Sequence, residues 1–130
     1  MAACCEVEIP ATGGEALRVT EFHAAYECGA IMHPANMRAQ VEGALIQGLG
    51  GALYEAAEFE GGKLRNGAFA RYRVPRFADV PKLEIALLNR TDLPSVGAGE
   101  TPIISVAPAV ANAFFHATGA RSRALPVRRA

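Results

Sequence analysis

A chain of 130 residues, half of them apolar and a fifth charged, has the length and balance of one globular domain, so 1–130 is read as a single domain. Thirteen basic and thirteen acidic side chains cancel, which leaves no electrostatic footprint for nucleic acid or an anionic membrane. No apolar run approaches the ~20 residues of a membrane span.

In chain order, Glu6-Val7-Glu8-Ile9 alternates and stops at Pro10-Ala11-Thr12-Gly13-Gly14. Ala16 to Ala24 alternates again, and the two runs predict a β-hairpin around the Gly-Gly turn. Tyr26 to His33, with Cys28-Gly29 inside it, reads as a loop. The period then becomes helical over about 35–57. Val41, Leu45, Leu49, Ala52 and Leu53 form one face, flanked by Met37 and Gly48, and Pro34 or Asn36 occupies the first turn. Gly61-Gly62 and Asn66-Gly67 mark turns. Phe69 to Val74 and Leu83 to Leu88 read as strands. Leu93 to Thr101 reads as loop, and a second helix follows over about 105–118. Ser105 is its expected N-cap, Pro108 lies in its first turn and Gly119 is its C-cap. Residues 120–130 form a basic tail, read as a solvated terminus. The sum is an α+β fold: a hairpin and further strands packed with two helices.

Two segments carry candidate chemistry. In the long helix, Gln40, Gly43, Ala44, Gln47 and Gly51 recur at three- and four-residue spacing and share one stripe. Each glycine inside a helix costs ~1 kcal/mol against alanine. Something must offset that cost: either tight packing of another helix or close approach of a ligand. The second segment is Ser95 to Pro102, where Gly97-Ala98-Gly99 precedes Glu100. Such glycines let a backbone turn sharply and approach a ligand. Glu100 is then either a capping acid at a helix N-terminus or a positioned general base. No Lys-Ser/Thr follows the glycines, so this is not a phosphate-cradling loop.

Three cysteines, Cys4, Cys5 and Cys28, form no Cys-x-x-Cys pair. They argue against a disulfide framework and favour a reducing compartment. His23, His33 and His116 have no ligand spacing to one another or to a cysteine, so no residue is assigned to a metal. The N-terminus lacks a basic region ahead of a long apolar stretch. The expected location is cytoplasmic, with a periplasmic one requiring a signal on a partner or precursor.

Three ordered motifs then carry a resemblance. They are Tyr26-Glu27-Cys28-Gly29-Ala30-Ile31-Met32-His33-Pro34 with Arg38 to Leu49, Gly97-Ala98-Gly99-Glu100-Thr101-Pro102, and Val106 to Ala113. Together with Ala117-Thr118-Gly119 to Leu125-Pro126, they resemble the C-terminal part of molybdopterin-binding subunits of the xanthine oxidase and aldehyde oxidase family of molybdenum hydroxylases. The aldehyde and isoquinoline 1-oxidoreductase β-subunit type is the most similar. The resemblance implies a molybdenum-dependent oxidoreductase component that hydroxylates an aldehyde or N-heterocycle with oxygen derived from water. It implies Glu100 as the catalytic base, and Gln40, Gly43, Gly97, Ala98 and Gly99 as cofactor-binding positions. The implied cofactor is molybdenum-molybdopterin in its cytosine dinucleotide form.

Two departures are small: Thr101 stands before Pro102, and Glu27 replaces an aspartate ahead of Cys-Gly. The large departure is length, since a full subunit is several times longer. No iron–sulfur or flavin motif occurs, so iron–sulfur clusters, and FAD or haem where used, would sit on partner chains. The implied partners are the remainder of the molybdenum subunit or a larger partner chain, an iron–sulfur subunit and the small substrate. Alone, the chain is expected to lack a complete site. Two alternatives are a non-catalytic, self-associating module with the family fold and no cofactor, and a binding protein that reuses the Gln40 to Gly51 face.

Overall fold

The computed structural model describes residues 1–9 and 17–127. Strand β1 (Ala2–Glu8) lies antiparallel to β2 (Arg18–Glu27), as the two alternating runs predict, and the expected turn at Pro10 to Gly14 falls outside the described residues. Helix α1 (Pro34–Leu53) follows, then a small antiparallel pair, β3 (Phe59–Glu60) and β4 (Lys63–Leu64). Strand β5 (Lys82–Leu88) pairs in parallel with β2, giving the order β1-β2-β5. Helix α2 (Val106–Thr118) closes the fold, which is α+β.

β2 is central because it alone has enough alternating apolar side chains to face a core while paired on both edges. Val19, Phe22, Ala24 and Tyr26 are buried. Val19 and Phe22 are three apart, which strict alternation would place on opposite faces. A register shift resolves this: Glu6 pairs with Glu21 and Val7 with Val19, so Thr20 is the extra residue of a β-bulge. Phe22, Val41, Leu45, Val106 and Val110 are fully buried between the sheet and the two helices. Each such side chain contributes roughly 1.5–3 kcal/mol by leaving water. The other sheet face is uncovered and carries Cys4, His23 and Glu84 across its middle.

Several expectations need correction. β2 runs to Glu27 rather than ending near Ala24, because its pairing with β5 continues to Leu88. α1 ends at Leu53, short of 57, where Tyr54 and Glu55 N–H both donate to the Gly50 carbonyl at 2.9 Å and close the helix. Phe69 to Val74 is not a strand. Arg71 and Tyr72 N–H both turn back to the Ala68 carbonyl, at 2.8 and 3.0 Å. No strand among the described residues offers this run a partner edge, so its apolar side chains stay in solvent. Ser105 does not cap α2. A 3-10 turn over Thr101–Ser105 feeds directly into the helix, and Ser105 Oγ instead donates to the Pro102 carbonyl at 3.0 Å. Gly119 takes the expected left-handed C-cap at φ 72°.

After Gly119 the described residues are mostly exposed through Leu125, and the chain then docks at Pro126 and Val127. The Arg121 guanidinium lies 3.8 Å over the Phe115 ring. Val127 is buried, and its N–H donates to the Ala52 carbonyl at 2.7 Å. Arg128 and Arg129 lie outside the described residues. Among those residues no helix is long and apolar enough to cross a membrane.

Candidate functional site

The turn that carries Glu100 is built on the C-terminal end of β2. Beyond Glu27 the chain bends at Gly29, whose φ of 80° suits glycine, and a Cβ there would collide with the Pro94 carbonyl. The approach lets two loops zip together. Val96 N–H donates to the Cys28 carbonyl at 3.0 Å, Ala30 N–H to Leu93 at 3.2 Å, and Arg90 N–H to Gly29 at 3.2 Å. Arg90 grips Asp92 through two hydrogen bonds, at 2.8 and 2.6 Å, and holds that carboxyl below its usual range.

From this base Gly97 reverses the chain at φ 79°, and its carbonyl faces the buried Tyr26 hydroxyl at 3.5 Å. Ala98 packs against the core, whereas a Cβ on Gly99 would meet nothing within 4 Å. Glu100 opens the 3-10 turn and its carbonyl accepts from Ile103 N–H at 3.0 Å. Its carboxylate makes no capping hydrogen bond, and the residue is exposed. The burial that would tune a general base is therefore not supplied by this chain. Pro102, fully buried, wedges the turn in place. A cleft of about 430 Å³ beside the turn is lined by Tyr26, Cys28, Val96, Gly97, Thr101 and Ser105 among others.

The other half of the candidate site is on α1. Gln40, Gly43 and Gln47 are exposed and Gly51 is half-buried, while Ala44 turns into the core instead. The four helical glycines divide into two kinds. A Cβ on Gly48 would stand 2.6 Å from Val106 Cγ2, and one on Gly50 would press on Glu55 and on Pro75, so these two serve close packing. A Cβ on Gly43 or Gly51 would meet nothing within 4 Å. Packing within this chain therefore explains Gly48 and Gly50 and leaves the stripe through Gly43 unexplained. Among the described residues no hydrogen bond joins this stripe to the Glu100 turn. Both are mounted on α1, since Ile103 and Val106 rest against Gly48.

The histidines divide by backbone. His33 is the N-cap of α1, where its Nδ1 accepts from Asn36 N–H at 3.1 Å. His23 has company that sequence spacing cannot reveal, because its neighbours come from other strands. Ligand atoms of Glu6, Glu21 and His23 lie within 4.8 Å of one another. Lys82 is closer to that group in function than any cation need be: its ammonium donates to Glu21 at 2.9 Å and lies 3.0 Å from Glu84. That bond lowers the Glu21 carboxyl, and the group reads as a surface ion-pair network. Burial, with Cys4 adding to it, pushes the Cys5 thiol up to about 12, and burial with Glu27 adding to it raises that of Cys28. Neither offers a thiolate at neutral pH. Tyr26, Gly29 and Pro102, which position the turn, lie inside the ordered motifs, but pattern assigns them no positioning role. Their partners are remote in sequence, and only the glycine carries a local signal.

A family model for the molybdopterin cofactor-binding domain matches residues 1–81. The aldehyde oxidoreductase molybdenum-binding subunit PaoC of Escherichia coli (strain K12) is 38% identical over 129 residues, 94% of this chain and 18% of that protein. Isoquinoline 1-oxidoreductase subunit beta of Brevundimonas diminuta is 35% identical over 112 residues, 86% of this chain and 14% of that one. The solved structure of quinoline 2-oxidoreductase from Pseudomonas putida 86 matches with TM-score 0.79 at 26% identity, over 94% of this chain and 16% of its own. Aldehyde oxidoreductase from Desulfovibrio gigas matches with TM-score 0.71 at 29% identity, over 88% of this chain and 13% of its own. The chain spans less than a fifth of the length of these relatives.

Proposed function

Since this chain belongs to the molybdopterin cofactor-binding domain family, we propose that it is the closing part of a molybdenum hydroxylase's cofactor-binding subunit, with Glu100 as its catalytic base. The observation that carries this reading is the state of Glu100. The helical backbone at Glu100 does not let its side chain fold back as a cap, so the carboxylate is exposed and without a capping bond, on a turn pinned from both sides.

The residues fit a large, flat, polar group. Gly43 and Gly51 leave open room along α1, and Gln40 and Gln47 beside them can each donate and accept through their amides. Gln40 and Gly43 would hold the group from α1. The backbone of Gly97, Ala98 and Gly99 would contact it as well, since Gly97 and Gly99 have open space where a side chain would stand. When bound, the molybdenum cofactor, read here as the cytosine dinucleotide form, supplies the redox centre that accepts the substrate's electrons.

The chain's own share of the work is proton transfer and positioning. The Glu100 carboxylate takes the proton released as water-derived oxygen is transferred to the substrate carbon. Pro102 and the Tyr26 hydroxyl hold the backbone of the turn that carries Glu100. Glu100 is exposed in this chain, so the burial that would raise its proton affinity comes from the polypeptide that closes over it. The partners of this reading are the rest of the molybdenum subunit, an iron–sulfur subunit and an aldehyde or N-heterocycle. The name of PaoC supports an aldehyde, and that of the Brevundimonas relative supports an isoquinoline-like ring.

The test uses the assembled complex. Glu100→Gln keeps the shape and removes the base, so turnover should fall by at least ~10²-fold while molybdenum content per complex stays unchanged. Loss of molybdenum would make Glu100 structural. Turnover retained by the variant would remove it from the chemistry. A complete complex that purifies without molybdenum would favour a non-catalytic module instead.

A further inference from the structure

Between α1 and β5 the chain makes a long excursion, residues 55–81, most of which is exposed. Two of its polar side chains, Asn66 and Asp79, are half-buried and act as staples. Asn66 bridges Glu58 N–H and the Ala56 carbonyl at 3.0 and 2.7 Å. Asp79 accepts from Arg73 and from Arg76 N–H, both at 2.8 Å. The excursion is also fastened to α1. The Arg73 guanidinium lies 4.2 Å over the Tyr54 ring, and Pro75 abuts Gly50, where no side chain would fit.

Its three phenylalanines stand in solvent. Phe69 is 103% exposed, Phe77 101% and Phe59 70%. These are three of the chain's six phenylalanines, so half of its largest apolar rings stay in water. An irregular loop that exposed them by chance would have no reason to be stapled. A rigid arm that holds aromatic anchors outward is what a docking element requires, because rigid aromatics lose little entropy on binding.

The occupant follows from two facts. The family match runs through residue 81 and includes the whole excursion, so this arm belongs to the shared pattern. More than four fifths of each relative's chain lies outside the part that matches this one. We propose that residues 55–81 form a docking arm, and that Phe69 and Phe77 insert into apolar pockets of the polypeptide that supplies the rest of the molybdenum-binding subunit. This rests on the functional reading above for the identity of the partner. A second copy of the chain is the alternative occupant, and the test below separates it from the rest of the subunit. Burial of the two rings would account for their exposure in the chain alone.

The probe is PaoC of Escherichia coli from which the residues aligned with this chain have been deleted. Binding is measured without molybdenum, by capture and by titration calorimetry. Wild-type chain should bind, and the double variant Phe69→Ser/Phe77→Ser should bind at least about 30-fold more weakly with an unchanged melting temperature. Gly50→Val, which displaces Pro75 but leaves both phenylalanines in place, should weaken binding as well. Equal capture of the double variant overturns the proposal, and so does absence of capture of the wild type. Self-association or vesicle binding lost in the double variant would assign the arm to a second copy or a membrane, and would also overturn it. The readout is independent of catalysis. A complex that forms through the two rings but never turns over removes the role of Glu100 and leaves the arm. An active complex formed equally well by the double variant does the reverse.

Discussion

His33, Ser105 and Glu100 each stand where a helical turn begins, and backbone geometry decides which of these three caps. A capping side chain reaches back to the first free N–H groups only from an extended backbone. His33 is extended, at φ −143° and ψ 92°, and its imidazole accepts from Asn36 N–H. Ser105 and Glu100 are helical, at φ −84°, ψ −16° and φ −88°, ψ −7°, and neither caps. His33→Ala should therefore cost about 1 kcal/mol of stability, whereas Ser105→Ala should cost less than half of that, as read from paired urea melts. An equal loss in the two variants would defeat this sorting. Sequence alone assigned the cap to Ser105 because serine is the commoner capping residue, and it had no means to see the 3-10 turn ahead of α2. The same blindness left Glu100 suspended between cap and base. Residue type and spacing place an acid near a helix start, but only the torsion angles distinguish a side chain that folds back from one that stands free.

The helix α1 was the most legible element, since the positions that repeat at helical spacing are the ones buried. Its glycines were legible as a cost but not as two different solutions. Gly48→Ala puts a methyl 2.6 Å from Val106 Cγ2 and should destabilise the chain by ~1–3 kcal/mol through overpacking. Gly43→Ala meets nothing, and should stabilise it by ~0.5–1 kcal/mol by removing glycine's freedom from the unfolded state. Thermal melts of the isolated chain check both signs, and a destabilising Gly43→Ala would mean that Gly43 serves the fold after all. In the assembled complex the same methyl would occupy space assigned to the cofactor. A variant that is more stable alone and poorer at retaining molybdenum would be the mark of a position kept for a ligand. The strand expected over Phe69 to Val74 is the opposite case. β-rich composition is only an invitation to pair, and the Arg71 and Tyr72 amides are already spent on Ala68.

Taken whole, the molecule is one covered sheet face and one bare face, with an arm at the side. The α+β class and both helices could be read from periodicity. The sheet order could not, because β5 joins β2 in parallel after a crossing that leaves no local mark. That crossing has a consequence for how the protein is made. Glu21 and Lys82, neighbours in the sheet, are 61 residues apart in the chain. At ~5–20 residues per second of synthesis, β2 waits on the order of several seconds for its second edge to be occupied. Over that interval β1 and α1 are the elements of this chain that can cover it, and non-local pairing of this kind is the slow step in folding. A ribosome-held nascent chain that exposes residues up to Val80 should therefore lose β2 to brief proteolysis, and one that exposes β5 and α2 should protect it. Protection appearing at the shorter length would mean that the hairpin and α1 suffice. The parallel strand thus works as a latch on the order of events: the molecule's most buried strand is among the last to become secure.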